Sequence, residues 1–533
     1  MVDSVPVLSF PNLYSPLARE RETLRWKELE SKFESMYHLQ PAFIARAPGR
    51  VNMIGEHIDT TGYSVFPLAI ERDVLMAATY VPGPGPFRVE LGNVSAQFPA
   101  TSFTCDLTQP DSIELLTETA QRWANYFRVA LRGLLSDLPN EIVKNAHGVL
   151  YVLVDGTVPP ESSLSSSAAM TTASSLVVVT ALGALDRINR VQMTQRAISS
   201  ERMIGVSTGG MDQAVSVFGE MGKAVFVSFV PQLHTVPITM PKWDEYLFLV
   251  SNTLVKSDKK ANASTQYNLR VAEVRMASYI LRQKLNVDIP DPPQFPTSLR
   301  AVSDAYWAAN PQALDEMMAE HKEVQAAYED AGKEVAQLQA MLLLVDRLVP
   351  RQGLTLADLE TLTGLSSEAI HREFLSPLPV QATHFFLHHR AFHVYAEAQR
   401  VLRFRHICNT LSTELARGEP CDVHDAYQRL GRLMNESHES LKHMYDCSCP
   451  ELDDVVRIAR DAGALGSRLT GAGWGGSAVH LVPRECLDAV IQSLRDKYYA
   501  VRFGSVKEGL LNDALFVTYP AQGACVVKCD HSS

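Results

Sequence analysis

Residues 166–185 are apolar on almost every side, because their Ala, Met, Val and Leu content leaves no stripe for water. A helix of that kind has to be buried. It is entered from a strand candidate, Gly148-Val-Leu-Tyr-Val-Leu-Val154, through a polar, Ser-rich loop. The chain therefore needs a covering layer of strands and helices, and its 533 residues are enough for it. Length alone suggests about three to four domain-sized units.

The pattern along the chain narrows this. A polar, charged helix spans 14–37, and a strand from Phe43 enters a turn at Pro48-Gly49. Apolar runs at 65–70 and 74–80 read as strands, residues 82–86 as a Pro-Gly loop, and 112–136 as a helix with Trp123, Phe127, Leu131 and Leu134 three and four apart. Alternation of strands and helices continues to about residue 230. After Tyr267 the pattern is mainly helical, with charged periodic segments at 313–348 and 387–417 and a Pro-rich connector at 285–300. Strands at 478–482, 500–503 and 514–518 surround a helix at 485–499, and no repeat recurs every 20–50 residues. The expected fold is α+β in two domains, 1–235 and 236–533, mixed α/β first and α+β second.

Lys plus Arg number 49 against 60 Asp plus Glu, a net charge of −11. No general positive field exists for nucleic acid or an anionic membrane. A small anion would have to be held locally, by backbone N–H groups. The N-terminus lacks a basic start and an apolar h-region, and no run reaches the ~20 apolar residues of a membrane span. A soluble, cytoplasmic protein is expected. Eight cysteines are too sparse for a disulfide framework, so free thiols are expected. The pairs Cys447/Cys449 and Cys525/Cys529 lack zinc spacing. His438 and His443 are five residues apart, about 140° around a helix, which excludes a zincin motif.

Three segments carry more Gly, Ser and charge than turns require. Pro48-Gly-Arg-Val-Asn-Met-Ile-Gly-Glu-His-Ile-Asp59 places Arg50, Glu56, His57 and Asp59 within ten residues around an apolar centre. Directional acceptors and donors with a guanidinium fork suit a polyhydroxylated ligand. Asp155-Gly-Thr-Val-Pro-Pro-Glu-Ser-Ser-Leu-Ser-Ser-Ser-Ala-Ala169 runs from a strand end into a helix start. The first-turn N–H groups, the helix dipole and several hydroxyls suit phosphate and Mg²⁺. Plain capping by Ser165 or Ser166 would explain one serine and not five. Gly471-Ala-Gly-Trp-Gly-Gly476 fits Gly-x-Gly-x-x-Gly, but it leads into an alternating strand, so a tight backbone loop facing a neighbour or ligand is expected in place of a dinucleotide turn.

Together these segments resemble the galactokinases of the GHMP small-molecule kinase superfamily. The Gly49–Asp59 stretch is similar to that family's opening signature. The Ser-rich and Gly471–Gly476 loops match the superfamily's other two in the expected order. Gly209-Gly-Met-Asp-Gln213, Trp123-Ala-Asn-Tyr-Phe127, Ser251-Asn-Thr-Leu-Val255 and Tyr267-Asn-Leu-Arg270 also look like family segments. The resemblance implies a GHMP kinase fold with its active site in the cleft between the domains. It implies a galactose site at Arg50, Glu56, His57, Asp59, Thr208, Gly209, Asp212 and Tyr267, with Asp212 as general base beside Arg50. It places ATP along Ser163, Ser165, Ser166 and Ser167, with Trp123 and Tyr126 near the adenine and further contacts from Ser257, Asp258 and Lys259. Ser167 and Glu201 resemble the Mg²⁺-holding pair.

The implied reaction is in-line transfer of the ATP γ-phosphoryl group to the C1 hydroxyl of galactose. The implied partners are galactose and ATP, with neither nucleic acid nor membrane; a monomer is expected, and a regulatory protein partner stays open. Glu161 and Ser163 stand where the family usually has glycines, and Thr60 where it has tyrosine. A galactokinase-like sensor acting on a transcriptional repressor is the alternative from another class; such proteins typically lack the Ser-Ala dipeptide that this loop retains. An N-acetylgalactosamine kinase shares every motif.

Overall fold

The computed structural model describes residues 4–205, 209–255, 263–289, 298–376 and 379–529. In chain order the strands are β1 (Phe43–Asn52), β2 (Pro67–Pro82), β3 (Phe87–Asn93), β4 (Thr101–Cys105), β5 (Gly148–Gly156), β6 (Lys223–Ser228), β7 (His234–Thr239), β8 (Tyr246–Asn252), β9 (Gly466–Thr470), β10 (Ser477–Pro483), β11 (Leu515–Thr518) and β12 (Cys525–Lys528). They form a six-stranded sheet in the order β12-β1-β2-β5-β3-β4, a four-stranded sheet β11-β8-β10-β9 and a ribbon β6-β7. All pairs are antiparallel except β3 with β5.

The helices that position the site are α1 (Pro16–Tyr37), α2 (Asn125–Leu134), α3 (Ser166–Ala181), α4 (Arg190–Arg202), α5 (Met211–Phe218), α6 (Tyr267–Lys284), α7 (Leu387–Arg417) and α8 (Val423–Ser440). The all-round apolar helix is α3. It lies on β1 and β2 with α2, α4 and α5 around it, and Ala169, Ala173, Leu176 and Val177 are fully buried. Each buried Val or Leu of that kind contributes about 1.5–3 kcal/mol. Helix α8 covers β9 of the smaller sheet, and α7 packs on both α6 and α8.

Several elements differ from the sequence reading. Residues 67–70 of the first run and all of 74–80 belong to one long strand, β2, while Val65 bridges Val227 separately. The region 112–136 is α-helical only over Asn125–Leu134, after a 3₁₀ turn at Thr119–Ala124: Asn125 accepts from Leu116 N at 2.8 Å and donates to Leu116 O at 2.9 Å, which folds the segment before that turn back as a loop. Residues 500–503 are helical, with Val501 78% exposed and Gly504 at φ 65° ending the helix. The last strand returns to the first sheet: β12 pairs with β1, and Arg46 Nη1 donates to Gln522 O at 2.6 Å. The larger sheet thus draws on both ends of the chain, which a single cut near residue 235 does not describe. No helix among the described residues is long and apolar enough to cross a membrane.

Candidate active site

The two sheets meet where β1 ends. The β1–β2 register shifts between Pro48 and Arg50, a bulge that bends the strand end. A Cβ at Gly49 would lie 2.6 Å from Leu164 O, so only glycine allows this strand to approach the Ser-rich loop so closely. Arg50 N donates to Leu164 O at 3.1 Å. From the other side Asn52 N donates to Thr470 Oγ1 at 2.9 Å and Arg468 Nη1 to Asn52 O at 2.7 Å, which ties β1 to β9.

Arg50 is buried, 2% exposed. Its Nε and Nη2 reach Asp212 Oδ1 at 2.8 and 2.7 Å, and its Nη1 donates to Ser163 O at 2.6 Å. One guanidinium therefore grips the Ser-rich loop and the carboxylate of Asp212. Asp212 stands in the first turn of α5, after Gly210 at φ 113°. Both the helix dipole and Arg50 favour its ionised form.

The remaining residues of the predicted sugar motif face the same place. Glu56 Oε1 accepts from Gly471 N at 2.5 Å and lies 3.7 Å from Arg468 Nη2. Burial raises its carboxyl more than Arg468 and Arg50 lower it. Asp59 is held up at about 6, first by burial and then by the neighbouring Asp212 and Glu56 carboxylates. A Cβ on Gly209 would overlap its carboxyl group, at 2.4 Å. His57, at φ 64°, stacks on Tyr445 at 4.4 Å between centroids, hydrogen-bonds Ala472 O at 3.0 Å and has Tyr267 and Trp474 within 6.1 Å. Burial pushes the Tyr267 hydroxyl up, with Asp59, Asp212 and Glu56 adding to it. Arg50, Glu56, His57, Asp59, Gly209, Asp212 and Tyr267 thus lie together; Thr208 is outside the described residues. Thr60 N donates to Asp59 Oδ1 at 2.9 Å.

The Gly471–Gly476 loop is the tight turn between β9 and β10, and its glycines press on the Ser-rich loop. A Cβ at Gly471 would lie 2.6 Å from Ser163 Cβ, and one at Gly476 2.4 Å from Ser163 Oγ. Ser477 Oγ donates to Ser162 O at 2.7 Å. Glu161, Ser163 and Ser165 all adopt left-handed backbone, at φ 55°, 64° and 61°. The Cβ-bearing residues at 161 and 163 therefore do occupy glycine-type conformations. Ser165 is the N-cap of α3 by position but makes no capping bond, and the buried Ser163 and Ser165 hydroxyls have no partner among the described residues. Capping does not explain these serines. Ser166 and Ser167 open α3.

Tyr126 lies where both Glu161 and Glu201 raise its hydroxyl, after burial. Glu201 is buried at the end of α4, and its Oε1 accepts from Gln213 Nε2 at 2.9 Å. Trp123 donates to Pro99 O at 3.1 Å and packs on Phe98. Ser257, Asp258 and Lys259 are outside the described residues.

Sequence reasoning missed the support beneath the sugar loop. Glu397 of α7, fully buried, accepts from Gly55 N at 2.8 Å, Ser437 Oγ at 2.7 Å and Arg400 Nε at 2.8 Å. Burial alone would raise it, but Arg400, Arg468 and His393 hold it down at about 2. His393, depressed to about 4 by burial, hydrogen-bonds Glu56 O at 3.2 Å. Arg468 was equally hidden. The available signal was an ionisable residue inside a helix or strand, at His393, Glu397 and Arg468.

Comparison with known proteins gives consistent matches. The galactokinase galactose-binding signature matches residues 31–80, the GHMP kinases N terminal domain residues 125–220, and the GHMP kinases C terminal domain residues 423–500. The chain is 35% identical over 516 residues to a galactokinase of Schizosaccharomyces pombe, covering 95% of each. It is 35% identical to one of Saccharomyces cerevisiae, covering 93% of each, and 32% identical to one of Dictyostelium discoideum, covering 96% of this chain and 95% of that one. The structure of Lactococcus lactis galactokinase complexed with galactose superposes with a TM-score of 0.61 at 23% identity, over 94% of this chain and 99% of that one, which shows a shared fold.

Proposed function

Since the chain belongs to the galactokinase family of the GHMP kinases, we propose how its own residues perform that family's reaction. The activity is ATP-dependent phosphorylation of galactose on the C1 hydroxyl, giving galactose 1-phosphate and ADP. The observation that carries the assignment is Arg50 joining Asp212 to Ser163 O, within one cluster with Glu56, Asp59, His57 and Tyr267.

Asp212 takes the C1 hydroxyl proton as general base, and Arg50 holds that carboxylate ionised and oriented. Asp59, Glu56 and His57 direct the other sugar hydroxyls. Sugar O–H donors would offset the burial, and then the Asp212 and Glu56 repulsion, that raise Asp59, so binding is favoured by charge already concentrated in the site. The Ser163 and Ser165 hydroxyls and the first-turn N–H groups of α3 receive phosphate oxygens. Tyr126 borders the nucleotide end.

The donor set fits a hard cation: a Ser167 hydroxyl and the Glu201 carboxylate offer oxygen ligands, few enough to leave positions for phosphates and water. Mg²⁺ bound there would neutralise phosphate charge. Gln213 orients the Glu201 carboxylate.

An ATP-coupled assay with galactose, N-acetylgalactosamine and glucose, run beside Asp212→Ala, tests this reading. Galactose-dependent ADP release is expected in the wild type and at least about 100-fold less in the variant. Turnover that survives Asp212→Ala removes the proposed base, and turnover with N-acetylgalactosamine alone reassigns the substrate.

A further inference from the structure

Away from the catalytic cluster, the helices after residue 298 enclose a cavity of about 380 Å³ with the chain just beyond the sugar loop. That volume is within the range of small-ligand sites. Its walls bring together Tyr63, Phe226, Trp307 and Arg405, with the Arg300–Asp304 ion pair at 2.7 Å and Glu334 at the rim.

Two buried donors and one half-buried guanidinium line this space without a well-formed acceptor among the described residues. Trp307 Nε1 is buried and has no hydrogen-bond partner among the described residues. The buried Tyr63 hydroxyl makes no well-formed hydrogen bond, although Ser303 is beside it. Arg405 lies over the Phe226 ring at 4.3 Å, with no carboxylate partner among the described residues. Buried donors ordinarily find acceptors, so the Trp307 indole and the Tyr63 hydroxyl, with the half-buried Arg405 beside them, point to a ligand rich in acceptor oxygens. The two guanidiniums, Arg300 and Arg405, are balanced by Asp304 and Glu334, so the cavity as a whole gives a phosphate or carboxylate no advantage. A neutral polyol suits it better: its hydroxyls accept from the indole and guanidinium and donate to carboxylates, and its C–H faces rest on aromatic rings.

The cavity also communicates with the catalytic loop. Tyr63 N donates to Ile58 O at 3.2 Å, one residue before Asp59. Ala398 lines the cavity, next to Glu397, which accepts from Gly55 N. We propose that this cavity is a second sugar site, which takes a neutral monosaccharide and, when filled, steadies the Gly55–Asp59 loop from behind.

The five tryptophans offer separate reporters: Trp307 for the cavity, and Trp474, beside His57, for the catalytic site. With ¹⁵N-tryptophan-labelled full chain, indole N–H resonances are followed during titration with D-galactose and with D-glucose, Trp307 being assigned through Trp307→Phe. At least one of the two sugars is expected to move the Trp307 N–H downfield at concentrations unrelated to those that move Trp474. In Asp59→Asn the Trp474 response weakens while that of Trp307 persists. Arg405→Gln lowers the Trp307 affinity about tenfold and leaves the Trp474 titration in place. The proposal is overturned if neither sugar moves Trp307, if Trp307 merely follows Trp474 and is lost with it in Asp59→Asn, or if Arg405→Gln changes nothing. A silent Trp474 beside a responsive Trp307 would count against the catalytic sugar assignment and leave the cavity standing.

Discussion

Replacing Gly471 by alanine tests whether the glycine-rich turn works by close approach to the Ser-rich loop. Gly471 has φ 83°, and its Cβ would meet Ser163 Cβ at 2.6 Å and Ser163 O at 2.7 Å. The left-handed backbone alone costs an alanine about 1–2 kcal/mol. Forcing apart a close-packed contact adds about 1–3 kcal/mol. Gly364 isolates the first effect, having φ 71° and nothing within 4 Å of its Cβ. Gly471→Ala should therefore lower the unfolding midpoint about two- to threefold more than Gly364→Ala. The displaced atom, Ser163 O, is the acceptor of Arg50 Nη1, and Gly471 N is the donor to Glu56. A shift of this size at positioning groups should reduce kcat/KM for galactose by about tenfold to a hundredfold. Adding Ser163→Gly removes the Cβ contact and keeps the carbonyl contact, so it should restore part of both losses. Equal losses in Gly471→Ala and Gly364→Ala, or an unchanged kcat/KM, would refute the reasoning.

Asp59→Asn should stabilise the chain at neutral pH while weakening galactose binding. A carboxyl held at about 6 in the folded state, above its ordinary 3.8, leaves the folded chain free of penalty below about pH 4. It destabilises the folded chain by about 2–3 kcal/mol once ionised, above about pH 6. Melting curves should show the variant's advantage growing from pH 4 to 7; a pH-independent difference rejects this origin. Ser165→Ala should raise the KM for ATP several-fold without changing the unligated melting temperature, because the hydroxyl has no partner to lose among the described residues; a capping serine would cost about 1 kcal/mol of stability instead. Glu161→Gly removes an exposed carboxylate from a left-handed position. The KM for ATP should fall by no more than about threefold, since solvent screens the charge, and a rise would show that the carboxylate assists binding.

The parts of the site that were legible from sequence are those where one short stretch supplies its own chemistry. Arg50, Glu56, His57 and Asp59 stand on one strand end and its turn, and Ser163, Ser165, Ser166 and Ser167 on one loop. The glycine-rich turn was legible as a turn because an alternating strand follows it. Its target was not, since nothing in the string Gly471–Gly476 names Ser163, more than 300 residues earlier. The same holds for Glu397 and His393, which reach the sugar loop through backbone groups of Gly55 and Glu56, groups that carry no side-chain signature. Strand β12 went unread because Cys525–Lys528 is short and acquires its role only by pairing with β1. Segment 500–503 was misread because Ala-Val-Arg-Phe fits either period over four residues.

The two kinds of buried carboxylate around the sugar loop make the division of labour physical. Glu397 has Arg400, Arg468, Ser437 and Gly55 N to satisfy it and is held down at about 2. It is complete without a ligand, and its work is to fix the loop. Asp59 faces Asp212 and Glu56 and is held up at about 6. Backbone N–H groups of Thr60 and Met211 partly satisfy it, but the charges beside it are of its own sign, so further hydroxyl donors would complete it. A chain of net charge −11 that gathers three carboxylates in one cleft loses stability there, and the proposed sugar site would recover that loss on binding. The direction of the shift, more than burial itself, therefore separates the carboxylate that builds the loop from the one that, on the proposed reading, receives the sugar.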